Sequence, residues 1–197
     1  MAGAHEKVEQ AEHVEHAAAS NKKIALLISV LALFLAFAET LGKSAQTTAI
    51  SDNIEAANLW AFFQAKTIRM TSVRTAAEAA QVQLATAPEP AIKSELQKQI
   101  DFWQKTAQRY DDEPETGEGR KQLAARAKEA EHRRDLAMAR YHHYELASAA
   151  LQIGIVLASA EVITGMIALG WLAGGLGLIG LIFIAIGFTA PEAVHLF

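Results

Sequence analysis

The sequence predicts an all-α membrane protein, with three transmembrane helices and a long Ala-rich helical hairpin, coiled-coil-like in pattern, between the first and the second. Three observations lead to this fold class. Hydrophobic residues make up 51% of the 197-residue chain, two long segments are almost wholly apolar, and residues 43–86 between them contain neither Pro nor Gly. Apolar segments of about 20 residues are typical of membrane spans, and an Ala-rich stretch without breakers is typical of helix.

The composition excludes several classes of function. The 18 Lys and Arg are spread among 22 Asp and Glu, and the net charge is −4. No stripe of basic residues is available for contact with phosphates, so we expect that the chain does not bind nucleic acid. The chain has no cysteine, which excludes a disulfide, a thiolate metal site and a Cys nucleophile but leaves the compartment open.

The first apolar segment covers residues 24–41. At about 1.5 Å per residue, roughly eighteen residues just cross a hydrocarbon core of about 30 Å. Lysines flank this segment on both sides, from where they reach the lipid headgroups: Lys22, Lys23 and Lys43. We therefore predict a polar tail at 1–23 and transmembrane helix 1 at 24–41.

A secretory signal peptide is the alternative interpretation of this segment. Ala36, Phe37 and Ala38 precede Glu39 in the manner of a small-residue cleavage site. The tail before the segment is rich in Glu and His, however, whereas a signal peptide begins with a short basic region. The tail therefore favours a membrane span.

The second apolar segment is long enough for two spans joined by a tight turn. We predict transmembrane helix 2 at 146–169 and transmembrane helix 3 at 172–189, with the turn at 170–175, whose three glycines tolerate turn dihedrals. Pro191 then stops the last helix and leaves a short tail at 190–197.

Three spans place the N-terminal tail and the turn on one side of the membrane, and the central domain with the C-terminus on the other. Positive residues near the spans are more numerous on the central side: Lys43, Arg126, Lys128, Arg133, Arg134 and Arg140, against Lys22 and Lys23. Because cytoplasmic loops carry the excess of Lys and Arg, we expect the central domain to be cytoplasmic.

The central domain, residues 42–145, should contain three helices at about 43–86, 91–110 and 120–145. Pro88 and Pro90 end the first, and a polar stretch at 111–119 separates the other two. The first helix would reach about 66 Å, and the two returning helices together about 69 Å, at about 1.5 Å per residue. These lengths favour an antiparallel hairpin.

The first helix of this domain carries an apolar stripe with steps of three and four residues. It comprises Ile50, Ile54, Ala57, Ala61, Ile68, Thr75 and Val82, with polar breaks at Gln64, Thr71 and Glu78. A single hairpin leaves much of such a stripe exposed. We therefore expect a partner there, most simply another copy of the chain, with an unidentified second protein as the alternative.

Two aromatic pairs are candidate contacts between subunits: Trp60 with Phe63, and Phe102 with Trp103. A far turn near 88 would pair position 60 with about 116 and position 102 with about 74. The two pairs would then not meet within one chain, so contact across an oligomer is one interpretation and packing in the core is the other.

Two strings of residues carry a family resemblance. They are Asn58-Leu-Trp-Ala-Phe-Phe-Gln-Ala-Lys66 in the first long helix and the run from Tyr144 to Ser159 at the second span. The chain resembles the domain-of-unknown-function 4337 family of bacterial membrane proteins over nearly its whole length. The resemblance implies a multi-pass protein of the bacterial inner membrane and implies no activity or site residue.

Three polar residues within the spans are candidates for an intramembrane site: Glu161, Gln152 and Glu39. A carboxylate inside a span is costly, so Glu161 should face a helix interface or a water-filled cavity. An ion or proton pathway is the functional interpretation, and helix packing is the other. Glu39 could pair with Lys43 one turn later, and Gln152 could hydrogen-bond across a helix interface.

No enzyme pattern is present, since the chain lacks a Gly-rich phosphate loop, a His-Glu-x-x-His motif and an acid and base at a defined spacing. We expect that the chain is not an enzyme and that it has neither a cofactor nor a metal site. We interpret His13 and His16 as part of a solvated tail. The first hypothesis is a homo-oligomeric membrane scaffold or assembly protein. The second is an ion- or proton-conducting, energy-coupling subunit that uses Glu161.

Overall fold

A computed structural model describes residues 2–193, with side chains from residue 22 onward. These residues form four helices and no strand: α1 (Ala2–Thr86), α2 (Pro90–Asp111), α3 (Arg120–Thr164) and α4 (Ile167–Thr189). The prediction of an all-helical chain is confirmed. The side chains of His13 and His16, and the last four residues of the predicted C-terminal tail, lie outside the described residues.

The helices begin and end where the backbone chemistry of the sequence requires it. Pro90 is the first residue of α2, a position where its missing N–H costs no hydrogen bond. Glu89 before it and Asp112 after Asp111 are both extended. In the following loop Gly117 has a φ of 69°, which favours glycine. The bounds in this region lie within one residue of those predicted.

The chain divides into two compact units. The hairpin unit comprises residues 49–135, and the apolar unit comprises residues 1–48 together with 136–197. Each unit has its own buried cluster. In the hairpin unit Ala56 and Leu59 of α1 pack against Leu123, Ala127 and Ala130 of α3.

The face of α1 that packs within the hairpin unit is not the stripe that the sequence singles out. The seven stripe residues are all exposed, including Ile68 at 67% and Val82 at 70%. A second series is buried or partly buried: Ala49, Asp52, Ala56, Leu59, Phe63, Lys66, Met70, Val73, Ala77 and Ala80. We call this series the inner stripe. Four of the ten inner-stripe residues are alanines, whose small side chains let helices approach closely.

The predicted pairing of position 60 with about 116 is wrong. Trp60 Nε1 donates a hydrogen bond to Glu131 Oε1 at 2.9 Å, which shifts the register by about four turns of helix. Residues 112–119 form a compact loop, in which the Gly117 N–H bonds the Glu113 carbonyl. These residues lengthen the chain without lengthening the hairpin, so α3 starts opposite Thr67 and Met70.

In the apolar unit α4 packs on α1 and α3 through its glycines. Gly177 lies against Leu31 of α1, and Gly180 lies against Leu151 of α3, each so close that a Cβ would collide with the leucine. Three helices are long and apolar enough to cross a membrane: α1 from Lys22 onward, α3 and α4. Their exposed faces carry many large apolar side chains.

The turn predicted at 170–175 is wrong. The break between α3 and α4 falls at Gly165 and Met166, and α4 runs straight through the predicted turn. Gly165 has a φ of 71°, a conformation that glycine adopts without steric cost and that stops a helix. Gly170 serves close packing instead, because the Glu161 side chain fills the space above it.

Candidate functional sites in the spans and on the hairpin

Glu161 lies one turn before the end of α3, and it is only 7% exposed. Its side chain lies over Gly170 of α4, where any Cβ would clash with the carboxylate. The Oε2 atom is buried and has no hydrogen-bond partner among the described residues. An unpartnered polar atom in apolar surroundings is costly, which makes this carboxylate a candidate site.

A cavity of about 220 Å³ adjoins this carboxylate. Its lining comprises Lys23, Ile24 and Leu27 of α1, Glu161 of α3, and Ile167, Gly170 and Trp171 of α4. Among these lining residues Lys23 is the one charged side chain besides Glu161, and the two make no ion pair within 4.0 Å. The cavity is open and has room for water.

Glu39 and Gln152 form a second, separate polar contact. Gln152 Nε2 of α3 donates to Glu39 Oε1 of α1 at 3.2 Å, and both residues are exposed. The prediction that Gln152 bonds across a helix interface is confirmed, whereas the hydrogen bond of Glu39 goes to Gln152 and not to Lys43. Sixteen residues along α1 separate Lys23 from Glu39, about 24 Å of helix, so Glu161 stands apart from this pair.

The two aromatic pairs that were candidate oligomer contacts differ in their packing. Trp60 and Phe63 are partly buried against the core of their own chain, with ring centroids 5.4 Å apart in an edge-to-face arrangement. These two residues therefore have a packing role within one chain. Phe102 of α2 is 65% exposed and Trp103 is partly buried, so contact with another subunit stays a prediction for this pair.

A buried lysine is the feature that the sequence reasoning missed. Lys66 is 6% exposed, and its Nζ lies 3.5 Å from Glu113 Oε2 and 3.6 Å from Glu118 Oε2. The same nitrogen lies 5.5 Å from the ring centroids of both Phe62 and Tyr110. The signal was available, since Lys66 falls in the inner stripe and the acidic loop at 111–118 offers its counter-ions.

The loop at 112–119 is held by further polar contacts at the start of α3. Arg120 Nη1 donates to Asp111 Oδ1 at 2.8 Å, and its guanidinium lies over the Phe63 ring. The hydrogen bond from Gln122 and the nearby Lys121 ammonium together lower the pKa of Asp112 below its ordinary value. These contacts stabilise the loop from which Glu113 reaches Lys66.

The exposed stripe of α1 is an apolar feature on the surface of the hairpin unit. Together with its three polar breaks, the stripe has one residue at every step of three or four from position 50 to position 82. We call these ten positions the outer seam: Ile50, Ile54, Ala57, Ala61, Gln64, Ile68, Thr71, Thr75, Glu78 and Val82. All ten are exposed, and Glu78 is their one charged member. α1 therefore has an apolar seam on each of two faces.

Comparison with known proteins identifies a family for this chain and no more specific relative. No curated protein and no solved structure matched the chain significantly. The family model described as a domain of unknown function, DUF4337, matches residues 20–190, which covers the spans and the whole hairpin unit. The chain therefore belongs to the DUF4337 family.

Proposed function

We propose that this protein is a non-enzymatic, homo-oligomeric membrane scaffold or assembly protein of the bacterial inner membrane, with its central helical domain in the cytoplasm. The observation that carries the proposal is the exposed outer seam of α1. Single apolar residues on a surface are ordinary, but a regular row of them over about 48 Å of helix is typical of an interaction surface.

Two further observations support the membrane part of this proposal. Among the described residues three helices have the length and hydropathy of spans, and many of their outward side chains are large and apolar, as lipid contact favours. Near the spans, Lys and Arg are more frequent on the side of the central domain, which supports a cytoplasmic position for it.

The mass of the purified protein in nanodiscs tests the proposal. We expect native mass spectrometry to give a multiple of the 21.3 kDa chain, because a copy with an exposed seam gains apolar burial from a second copy. Serial dilution in detergent serves as the control for trapping of several chains in one disc. A single chain per disc at every protein-to-lipid ratio would contradict self-assembly.

Proton coupling through Glu161 is a second candidate function. The specific observation in its favour is the buried, unpartnered carboxylate next to a cavity that Lys23 also lines. Such a group is suited to carrying protons or to coupling a proton gradient to helix movement.

Substitution Glu161→Gln separates this candidate from the scaffold. In liposomes with an enclosed pH-sensitive dye, we expect the parent protein to dissipate an imposed pH gradient and Glu161→Gln to lose that flux while keeping its oligomeric mass. Glu39→Gln is the matched control, because it removes an exposed carboxylate from the same bundle and should keep the flux. Equal flux in all three proteins, or none in the parent, would refute the candidate.

A further inference from the structure

The outer seam has the pattern of one strand of a parallel, two-stranded coiled coil. Its ten positions alternate steps of four and three residues, which is the heptad spacing of a helix seam. Positions 54, 61, 68, 75 and 82 recur every seven residues, and four of the five are β-branched: Ile54, Ile68, Thr75 and Val82. In a heptad they occupy the a position, where β-branched residues favour two parallel strands.

The polar members of the seam fit pairing with an identical chain. Gln64 carries both a donor and an acceptor, so two copies of Gln64 at the same level satisfy each other across a seam, as a polar residue does when it fixes the register of a coiled coil. The neighbouring residues on one edge are small: Ser51, Asn58, Ala65, Ser72 and Ala79. No long charged side chain on that edge prevents close approach, and the other edge carries a single one, Arg74.

Insertion in one membrane gives two copies the geometry that this pairing needs. Copies with the same orientation are related by a rotation about the membrane normal, so equivalent residues lie at equal heights. Each seam residue of one copy therefore meets its own counterpart, and Glu78 meets Glu78. Like charges at that one level weaken the pairing at neutral pH.

The buried area indicates how strong the contact would be. A seam about 48 Å long and about 10 Å wide covers about 480 Å² per copy, or about 960 Å² in total, which is close to the roughly 1,000 Å² that a stable interface needs. The seam alone is thus a weak dimer contact in solution. Confinement in a bilayer raises the effective concentration of the second copy and favours it.

We propose that the outer seam of α1 binds the outer seam of a second copy of this chain, parallel and in register, as a two-stranded coiled coil. This inference rests on the proposed self-assembling scaffold and names its interface. The inner stripe holds each hairpin together, and the outer seam joins two hairpins through their α1 helices.

Single cysteines test the interface directly, because the chain has no cysteine of its own. In native membranes under mild oxidation, we expect Ile68→Cys and Ile54→Cys each to give a disulfide-linked dimer in more than about half of the chains, since parallel pairing brings equivalent residues together within the span of a disulfide. Arg69→Cys is the matched control. This residue is exposed but points about 100° away from Ile68 on the helix, and we expect at least fivefold less dimer.

A second pair of variants measures the energetics of the seam. Ile68→Asp should shift the nanodisc mass toward the single chain without loss of helicity, because Ile68 is exposed in the isolated chain. Glu78→Gln should lower the protein concentration at which half of the chains are dimeric by several-fold, because it removes the one pair of like charges. An unchanged mass for Ile68→Asp would overturn the proposal.

The outcomes separate this inference from the scaffold on which it rests. An oligomeric mass without cross-linking at 54 and 68 would overturn the outer seam and leave self-assembly standing. Cross-linking of Ile54→Cys only with Val82→Cys in the other copy would overturn the parallel arrangement in favour of an antiparallel one. A single-chain mass throughout would overturn both, and a different protein cross-linked at Ile68→Cys would assign the seam to that partner.

Discussion

Lys66 occupies an inner-stripe position that a coiled-coil pattern normally gives to an apolar side chain. Its ammonium is held between Phe62 and Tyr110 and is paired with Glu113 and Glu118 of the loop before α3. A buried charge is costly unless it is paired, so Lys66 stabilises the one register that brings the loop acids to it. A single side chain thereby couples the position of the loop to the packing of α1.

Lys66→Ala should lower the free energy of unfolding of the hairpin unit by about 1–3 kcal/mol. The loss comes from two ion pairs and two cation–π contacts, and it is below the value for a fully buried pair because Glu118 is half-exposed and Glu113 keeps its contact with Arg109. Denaturant unfolding of the detergent-solubilised protein, followed by helicity, measures the change.

Lys98→Ala is the matched control for this prediction. Lys98 pairs with Glu95 at 3.2 Å, but both side chains are more than two-thirds exposed. An exposed pair contributes little, so we expect a change of at most about 0.5 kcal/mol. Equal effects of the two substitutions would contradict the role assigned to Lys66.

At the scale of elements, the sequence predicts the helices well because proline and glycine mark their ends. Pro88 and Pro90 bound the end of α1 and the start of α2, and the polar stretch before Arg120 marks the start of α3. The second span and its turn are predicted less well. Five glycines between 165 and 177 all carry the same compositional signal, and only the backbone of Gly165, with its positive φ, shows which of them forms the break.

Hydrophobicity alone also does not show which face of α1 packs within the chain. The spacing of the outer seam predicts the apolar face of the hairpin helix, yet it is the inner stripe, with four alanines in ten residues, that packs within the chain. Alanine contributes little apolar area but permits a short interhelical distance, a property of pairs of helices that one helix does not reveal. The register error at Trp60 has a separate cause. The sequence does not show how compactly residues 112–119 fold.

For the candidate sites, the sequence identifies the polar residues but not how they are grouped in space. Glu161, Gln152 and Glu39 were found from their polarity inside apolar segments, and the sequence placed all three in the spans. Their grouping came only from the structure, which joins Gln152 with Glu39 and leaves Glu161 beside Gly170 and the cavity near Lys23. The burial of Lys66 follows from its place in the inner stripe, and the sequence pattern that was used singles out the outer seam instead.

At the scale of the whole molecule, the two units have separate cores, so the hairpin unit should fold without the spans. The fragment 49–135 contains its own apolar cluster and the ion pairs of Lys66, Arg120 and Arg133. We expect it to be helical by circular dichroism and to unfold cooperatively on heating, since its buried contacts lie within its own bounds. Its helicity should be independent of protein concentration.

Self-association of this fragment should be weaker than that of the full chain. Both carry the outer seam, but only the full chain is confined to a bilayer, and confinement supplies the effective concentration that a contact of marginal area needs. Sedimentation equilibrium of the fragment should give monomer at low micromolar concentration and dimer well above it, and Ile68→Asp should abolish the dimer with equal helicity. A fragment that is unfolded as a monomer would contradict the division into two units, and one that dimerises as tightly as the full chain would show that the bilayer contributes nothing to assembly.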